Sequence, residues 1–220
     1  MAGPRDFIHR HLDPVDRLGE VLFGLIMALG FTGAVRLGYE EADSRELFVG
    51  ILGCNVAWGI VDGVMYVLTS LFERGRRARV IRDVLAAPTE EAALARIGAQ
   101  LDDRLGPFTT TDERAQLYGG ILRSVRSQPR QVVHVTSGDV LGGVAVGLIV
   151  LLATLPMLVP YWIVRDPTVA VRLSHGIGVA LVFLVGVRWG KAAGASPWRI
   201  GLGLAVLGLV LVGVTVVLGG

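Results

Sequence analysis

Two carboxylates, an amide and two thioethers stand where an apolar chain would least tolerate them. Asp62 lies just past the middle of a 26-residue apolar run, Leu47–Phe72, in which it is the one charged residue. Its side chain is too short to reach an interface from that depth, and a charge at the centre of a span costs about 2.5–3.5 kcal/mol. Asn55 is seven residues earlier and Met65 three later, so helical spacing puts all three on one face. Just before and within an earlier apolar run, Asp16, Glu20 and Met27 fall on another stripe, with Gly24 between the last two. Oxygen donors suit hard divalent cations, and a thioether adds the softness that selects a transition metal. Paired carboxylates can also exchange a divalent ion for protons. The plainer alternative stays open: Asp62 protonated and bonded to a neighbouring backbone, Glu20 facing water, the methionines packing.

Other polar residues point less clearly to chemistry. His9-x-His11 has a metal-site spacing but sits in a polar N-terminal segment, and His175 in the fourth apolar run is a weak candidate. Pro156 and Pro160 each remove a backbone donor, so the end of that apolar run is expected to be bent or broken. Small residues four apart (Gly143 with Gly147, Gly186 with Gly190, Gly24 with Ala28) allow helices to approach closely. No phosphate-cradling glycine loop and no nucleophile–base pair is visible, so no enzyme is expected. Cys54 is the single cysteine, which excludes an intrachain disulfide and a cysteine-based zinc site.

The elements that must carry these residues are membrane helices. Of the 220 residues 52% are hydrophobic and only 18% charged, against about 25% charged in soluble domains. About 20 apolar residues cross a bilayer, and five segments qualify: Leu18–Leu37, Leu47–Phe72, Val140–Val164, Thr168–Val187 and Ile200–Gly220. The first has an uncharged heart of only 15 residues, Val21–Val35, yet lacks the cleavage site and basic leader of a signal peptide. Counting Lys and Arg in alternate loops gives 17 on the side of the N-terminus and 4 on the other. The positive-inside rule then puts the N-terminus in the cytoplasm and the C-terminus outside a cell (inner) membrane.

The expected fold is therefore an all-α membrane protein with five transmembrane helices and a cytoplasmic helical insert between spans two and three. Residues 1–17 form a cytoplasmic segment, 18–72 spans one and two, 73–138 the insert, and 139–220 spans three to five. Within the insert, Thr89 before Glu90-Glu91 reads as a helix start, Gly106-Pro107 as a break, and Thr111-Asp112-Glu113 as a second start. Pro129 ends that helix. The insert's 11 Arg have no interleaved aromatics, which reads as membrane-surface charge and not nucleic-acid binding.

This layout resembles the vacuolar iron transporter family over about residues 13–220. The likeness rests on five spans, the insert, Leu155-Pro-Met-Leu-Val-Pro160, and the glycine-rich last spans joined by Lys191-Ala-Ala-Gly-Ala-Ser-Pro197. It implies a homodimer that carries Fe2+ or Mn2+ out of the cytoplasm in exchange for protons, with no permanently bound cofactor. It also implies a path with an early acid in span one, matched within a residue by Glu20, and a Glu and a Met in span two. If Gly59 is aligned with the family's central glycine, Asn55 stands where the family has Glu and Asp62 where it has a small polar residue. Met65 is then displaced by two. The family's insert is rich in metal-gathering Glu, whereas this one sets Asp83, Glu90, Glu91, Asp102, Asp103, Asp112 and Glu113 among its arginines. The expected metal residues are Glu20, Asp62, Asn55, Met65 and Met27, with Asp62 and Glu20 coupling protons and Pro156 and Pro160 bending the third span. The alternative is a non-transporting membrane interaction or assembly protein on the same fold.

Overall fold

A computed structural model describes residues 14–38, 44–127 and 132–217. Among these residues all regular structure is helical. Seven α-helices follow in order: α1 (Pro14–Gly38), α2 (Ser44–Leu85), α3 (Glu90–Leu105), α4 (Thr111–Ser127), α5 (Ser137–Ile163), α6 (Pro167–Ala192) and α7 (Pro197–Val217). A short 3-10 turn, Gly106–Phe108, separates α3 from α4. Four of the helices, α2, α5, α6 and α7, are long and apolar enough to cross a membrane. The chain divides into two compact units, and the division falls within α2: one unit takes the described residues to Val67 and from Thr136 on, the other Leu68–Val135.

Local chemistry starts and stops these helices. Thr136 and Asp139 form a capping box at the head of α5, each side chain satisfying the other's backbone N–H. Asp166 accepts from the N–H groups of Thr168 and Val169, and Pro167 occupies the first turn of α6, where its missing donor costs nothing. Gly194, with φ of 66°, closes α6 in the left-handed conformation that glycine adopts without strain. Pro197 then opens α7.

The core of the first unit joins α1, α2, α5 and α6. Leu25, Ala28 and Leu29 pack with Leu47, Ile51, Met157, Leu158, Val171 and Val182. In a bilayer the lipid is as apolar as leucine, so close backbone approach has to supply much of the cohesion. Glycine provides it. A β-carbon on Gly24 would lie 2.7 Å from the carbonyl oxygen of Val150, and one on Gly186 2.7 Å from Cα of Gly201. Gly59 and Gly63 of α2 meet Gly147 and Gly143 of α5 in the same way, which makes that crossing antiparallel.

The second unit has its own small core. Val84, at the end of α2, packs with Ala93 and Ile97 of α3 and with Tyr118 and Leu122 of α4. Thr89 caps α3 by accepting from Ala92, and Thr110 caps α4 with Glu113 returning to its N–H.

Of the bend or break expected at the prolines, the break does not occur. α5 runs unbroken through Pro156 and Pro160 to Ile163. The prolines are four residues apart, so the donors they remove lie on one face, and the ladder resumes with Val164 N–H donating to Pro160. The carbonyls left without these donors belong to Leu152 and Pro156, both on the exposed side of α5.

Candidate functional site

Asn55, Gly59 and Gly63 recur every four residues and form the face of α2 that lies against α5. Gly59 opposes Gly147 and Gly63 opposes Gly143, so Asn55, one turn further along, reaches the level of Val150 and Leu151. Gly24 of α1 abuts Val150 at that same level. Asn55 therefore sits where three helices converge, and it is 0% exposed. Its Nδ2 donates to the carbonyl of Ile51 at 3.0 Å, one turn back on its own helix. That bond fixes the amide and turns Oδ1 away from the α2 backbone, and Oδ1 is buried with no hydrogen-bond partner.

Asp62 is two turns beyond Asn55, half-buried, and its Oδ2 is likewise buried without a partner. Seven residues advance a helix by about 10.5 Å. The two oxygens are thus too far apart to hold one ion and stand as successive positions along α2. Both are acceptors without donors, a state that favours a cation at either oxygen and, at the Asp62 carboxylate alone, a proton.

The remaining expected residues are dispersed. Glu20 and Met27 are half-buried on α1, Glu20 one turn before the Gly24 contact. Met65 is 54% exposed, away from the seam that buries Asn55. Pro156 is exposed and Pro160 buried. His9 and His11 lie outside the described residues. Two buried hydroxyls escaped the sequence reading. Thr154 is fully buried and donates to Leu151 at 2.8 Å, so its proton is committed to its own helix. Ser174 is fully buried with its Oγ unpartnered, and its one signal in the sequence is a small polar residue inside an apolar run.

In the second unit the carboxylates serve the helices. Tyr118 Oη donates to Asp102 at 2.6 Å, and Arg114 Nε lies 3.3 Å from the same carboxylate. Burial, reinforced by that bond to a carboxylate, pushes the Tyr118 phenol above its ordinary value. Arg126 pairs with Glu90 at 3.1 Å. The Thr110 N–H, then its hydroxyl, hold Glu113 below the usual carboxylate range, and Glu91 is lowered by its own backbone N–H and by Thr89. Among the described residues no three His, Cys, Asp or Glu side chains form a metal-holding group. No family model matches the chain, and no curated protein matches it.

Proposed function

We propose that this chain is an integral membrane carrier of a divalent metal ion, Fe2+ or Mn2+, moving it out of the cytoplasm in exchange for protons. The observation that carries the reading is the pair of unsatisfied buried oxygens, Asn55 Oδ1 and Asp62 Oδ2, on one apolar helix. An uncompensated polar atom in hydrocarbon costs free energy that packing alone does not return. A cation passing from one oxygen to the next supplies what is missing. Asp62 is the exchangeable carboxylate: neutral when protonated, and neutralised by the metal otherwise. Glu20 provides the second carboxylate from α1, and Met27 lines the path. Met65, exposed on this chain, joins the path only where a second copy of a homodimer covers it.

The same reading has five spans in the inner membrane, with a cytoplasmic N-terminus, an external C-terminus and Leu68–Val135 as the cytoplasmic insert. α1 is the fifth span because Leu25, Ala28 and Leu29 are at most 1% exposed and Gly24 packs against the middle of α5. A helix buried against the centre of a spanning helix shares its depth. On this reading the chain is a divergent relative of the vacuolar iron transporters.

The second reading, a non-transporting assembly protein, is favoured by the occupation of the Asn55 face by the α2–α5 crossing and by the capping and pairing roles of Glu90, Glu91, Asp102 and Glu113. Purified protein in sealed proteoliposomes, with a pH-sensitive dye inside, separates the two. Coupled movement of Fe2+ or Mn2+ and protons supports the carrier. A folded protein without flux, for either metal and in either direction of the proton gradient, sinks it.

A further inference from the structure

At the end of the first unit where α5 turns into α6, a cavity of ≈ 470 Å³ opens between Arg45, Phe48, Tyr161, Trp162 and Arg165. Arg45 lies in the first turn of α2 and Arg165 in the α5–α6 turn, 120 residues later, so the fold itself brings the two guanidinium groups to one space. Their meeting is unexpected from charge distribution. The side of the chain to which they belong carries 4 of its 21 basic residues, and two of those 4 line this cavity. The volume falls within the roughly 300–1,000 Å³ of ligand pockets.

The walls say what kind of anion fits. The rings of Phe48 and Trp162 stack at 5.3 Å with an interplanar angle of 29°, forming an apolar wall beside the guanidinium groups. From that wall an exposed apolar stripe runs back along α5 through Ile163, Val159, Leu155 and Leu152. Helical spacing keeps these residues within about a third of the circumference. Tyr and Trp at the end of a spanning helix mark headgroup depth. Each arginine has an acid beside it in sequence, Glu46 after Arg45 and Asp166 after Arg165, and Asp166 Oδ1 is occupied by the N–H groups of Thr168 and Val169.

We propose that this cavity binds the phosphate headgroup of an anionic phospholipid, with the acyl chains lying along the α5 stripe. Guanidinium forks match phosphate oxygens in geometry and charge. The second arginine rejects headgroups that carry an amine, because it would face that cation across the cavity. The shared chemistry, an anionic phosphate, also exists in solution, but a soluble ion would leave the aromatic wall and the stripe unused. The site requires the helices to span a bilayer and is independent of whether metal is carried.

The test uses the full-length protein in mild detergent, with lipid retention read by native mass spectrometry and competition among phosphatidylglycerol, phosphatidylcholine and inorganic phosphate. Phosphatidylglycerol should be retained, and Arg45→Gln and Arg165→Gln should each weaken it roughly tenfold, the scale of losing a charge-assisted contact. The double substitution Arg45→Lys/Arg165→Lys should restore part of the retention, because charge remains without the fork. Arg188→Gln, an exposed charge elsewhere, should change nothing. Thermal midpoints in lipid-free detergent verify that each variant folds, and both arginines are exposed, so they should. Equal retention of phosphatidylcholine, unaltered retention by a folded double Gln variant, or displacement by equimolar inorganic phosphate would each overturn the assignment.

Discussion

Gly63 and Gly143 touch through their backbones: a β-carbon on Gly63 would fall 2.6 Å from the Gly143 carbonyl oxygen, and one on Gly143 2.5 Å from that of Gly63. Neither neighbour is a flexible side chain, so neither can yield. Gly63→Ala or Gly143→Ala should therefore push α2 and α5 apart and cost about 1–3 kcal/mol, read as a lower thermal midpoint in detergent. Gly53→Ala, on the same helix with nothing within 4 Å, should leave the midpoint unchanged. Equal midpoints for all three would mean that the crossing is not as close as described.

Asp62→Asn keeps the shape and removes the exchangeable charge. In proteoliposomes it should abolish metal-coupled proton movement while yield and thermal midpoint stay near those of the parent protein. Normal coupling in this variant would remove Asp62 from the path.

Asn55→Leu replaces an amide with an unsatisfied oxygen by an apolar side chain of similar size. Burying no orphan acceptor, the variant should fold at least as well as the parent. Carriage should nonetheless fall by roughly tenfold or more, the scale of one lost ligand contact to a charged group. Higher stability with undiminished flux would make Asn55 a packing residue.

Tyr118→Phe removes the bond to Asp102 but keeps the ring in the small core. Amide exchange in α4 should accelerate by roughly fivefold, the factor for one ordinary net hydrogen bond, with α5 to α7 unaffected. Gly98→Ala should do more, because the new methyl would lie 3.1 Å from Asp102 Oδ2 and 3.3 Å from the Tyr118 ring. An unaltered exchange rate in both variants would show that this cluster does not hold α3 to α4.

The caps of α3 and α4 make the second unit sensitive to acid. Glu91 and Glu113 are both held below the ordinary carboxylate value in the folded chain. Their contribution is therefore fully present above the unfolded value, near about 4.3, and is lost as pH falls through the lower folded value. Amide protection in the first turns of α3 and α4 should fade over that acid window. Glu113→Gln retains a capping oxygen without the charge, so it should flatten the response in α4 alone; a persisting response there would exclude Glu113 as its source.

Reporter fusions test the arrangement in the membrane. One at the C-terminus should report the external side and one inserted at Gly106 the cytoplasm. Both on the same side would contradict five spans.

The sequence carried the helices well because their ends are written in local chemistry. Thr89 and the Gly106-Pro107 pair mark boundaries that the helices respect within two residues, while Pro129 lies outside the described residues. Apolar length alone identified α2, α5, α6 and α7 as candidate spans. Facing was harder to read. Asn55, Asp62 and Met65 share a helical face by spacing, yet Asn55 is fully buried and Met65 54% exposed. The difference arises because α5 covers only the Asn55–Gly59–Gly63 seam, and a single helix does not encode where its neighbour crosses. Gly143 and Gly147 stood out as a small-residue pair, but their partners could not be named before α2 was laid against them. The cavity between Arg45 and Arg165 was illegible for the same reason: its parts are 120 residues apart.

The glycine seam also ties two distant stretches of the chain to each other. At Gly59, Gly63, Gly143 and Gly147 an added carbon would meet the opposing backbone at 2.9, 2.6, 2.5 and 2.6 Å. Any side chain at these four positions drives the two backbones apart, so the crossing keeps this distance only while all four stay glycine. Two Gly-x-x-x-Gly pairs separated by 79 intervening residues thus act as one unit, and neither half brings the backbones together without the other.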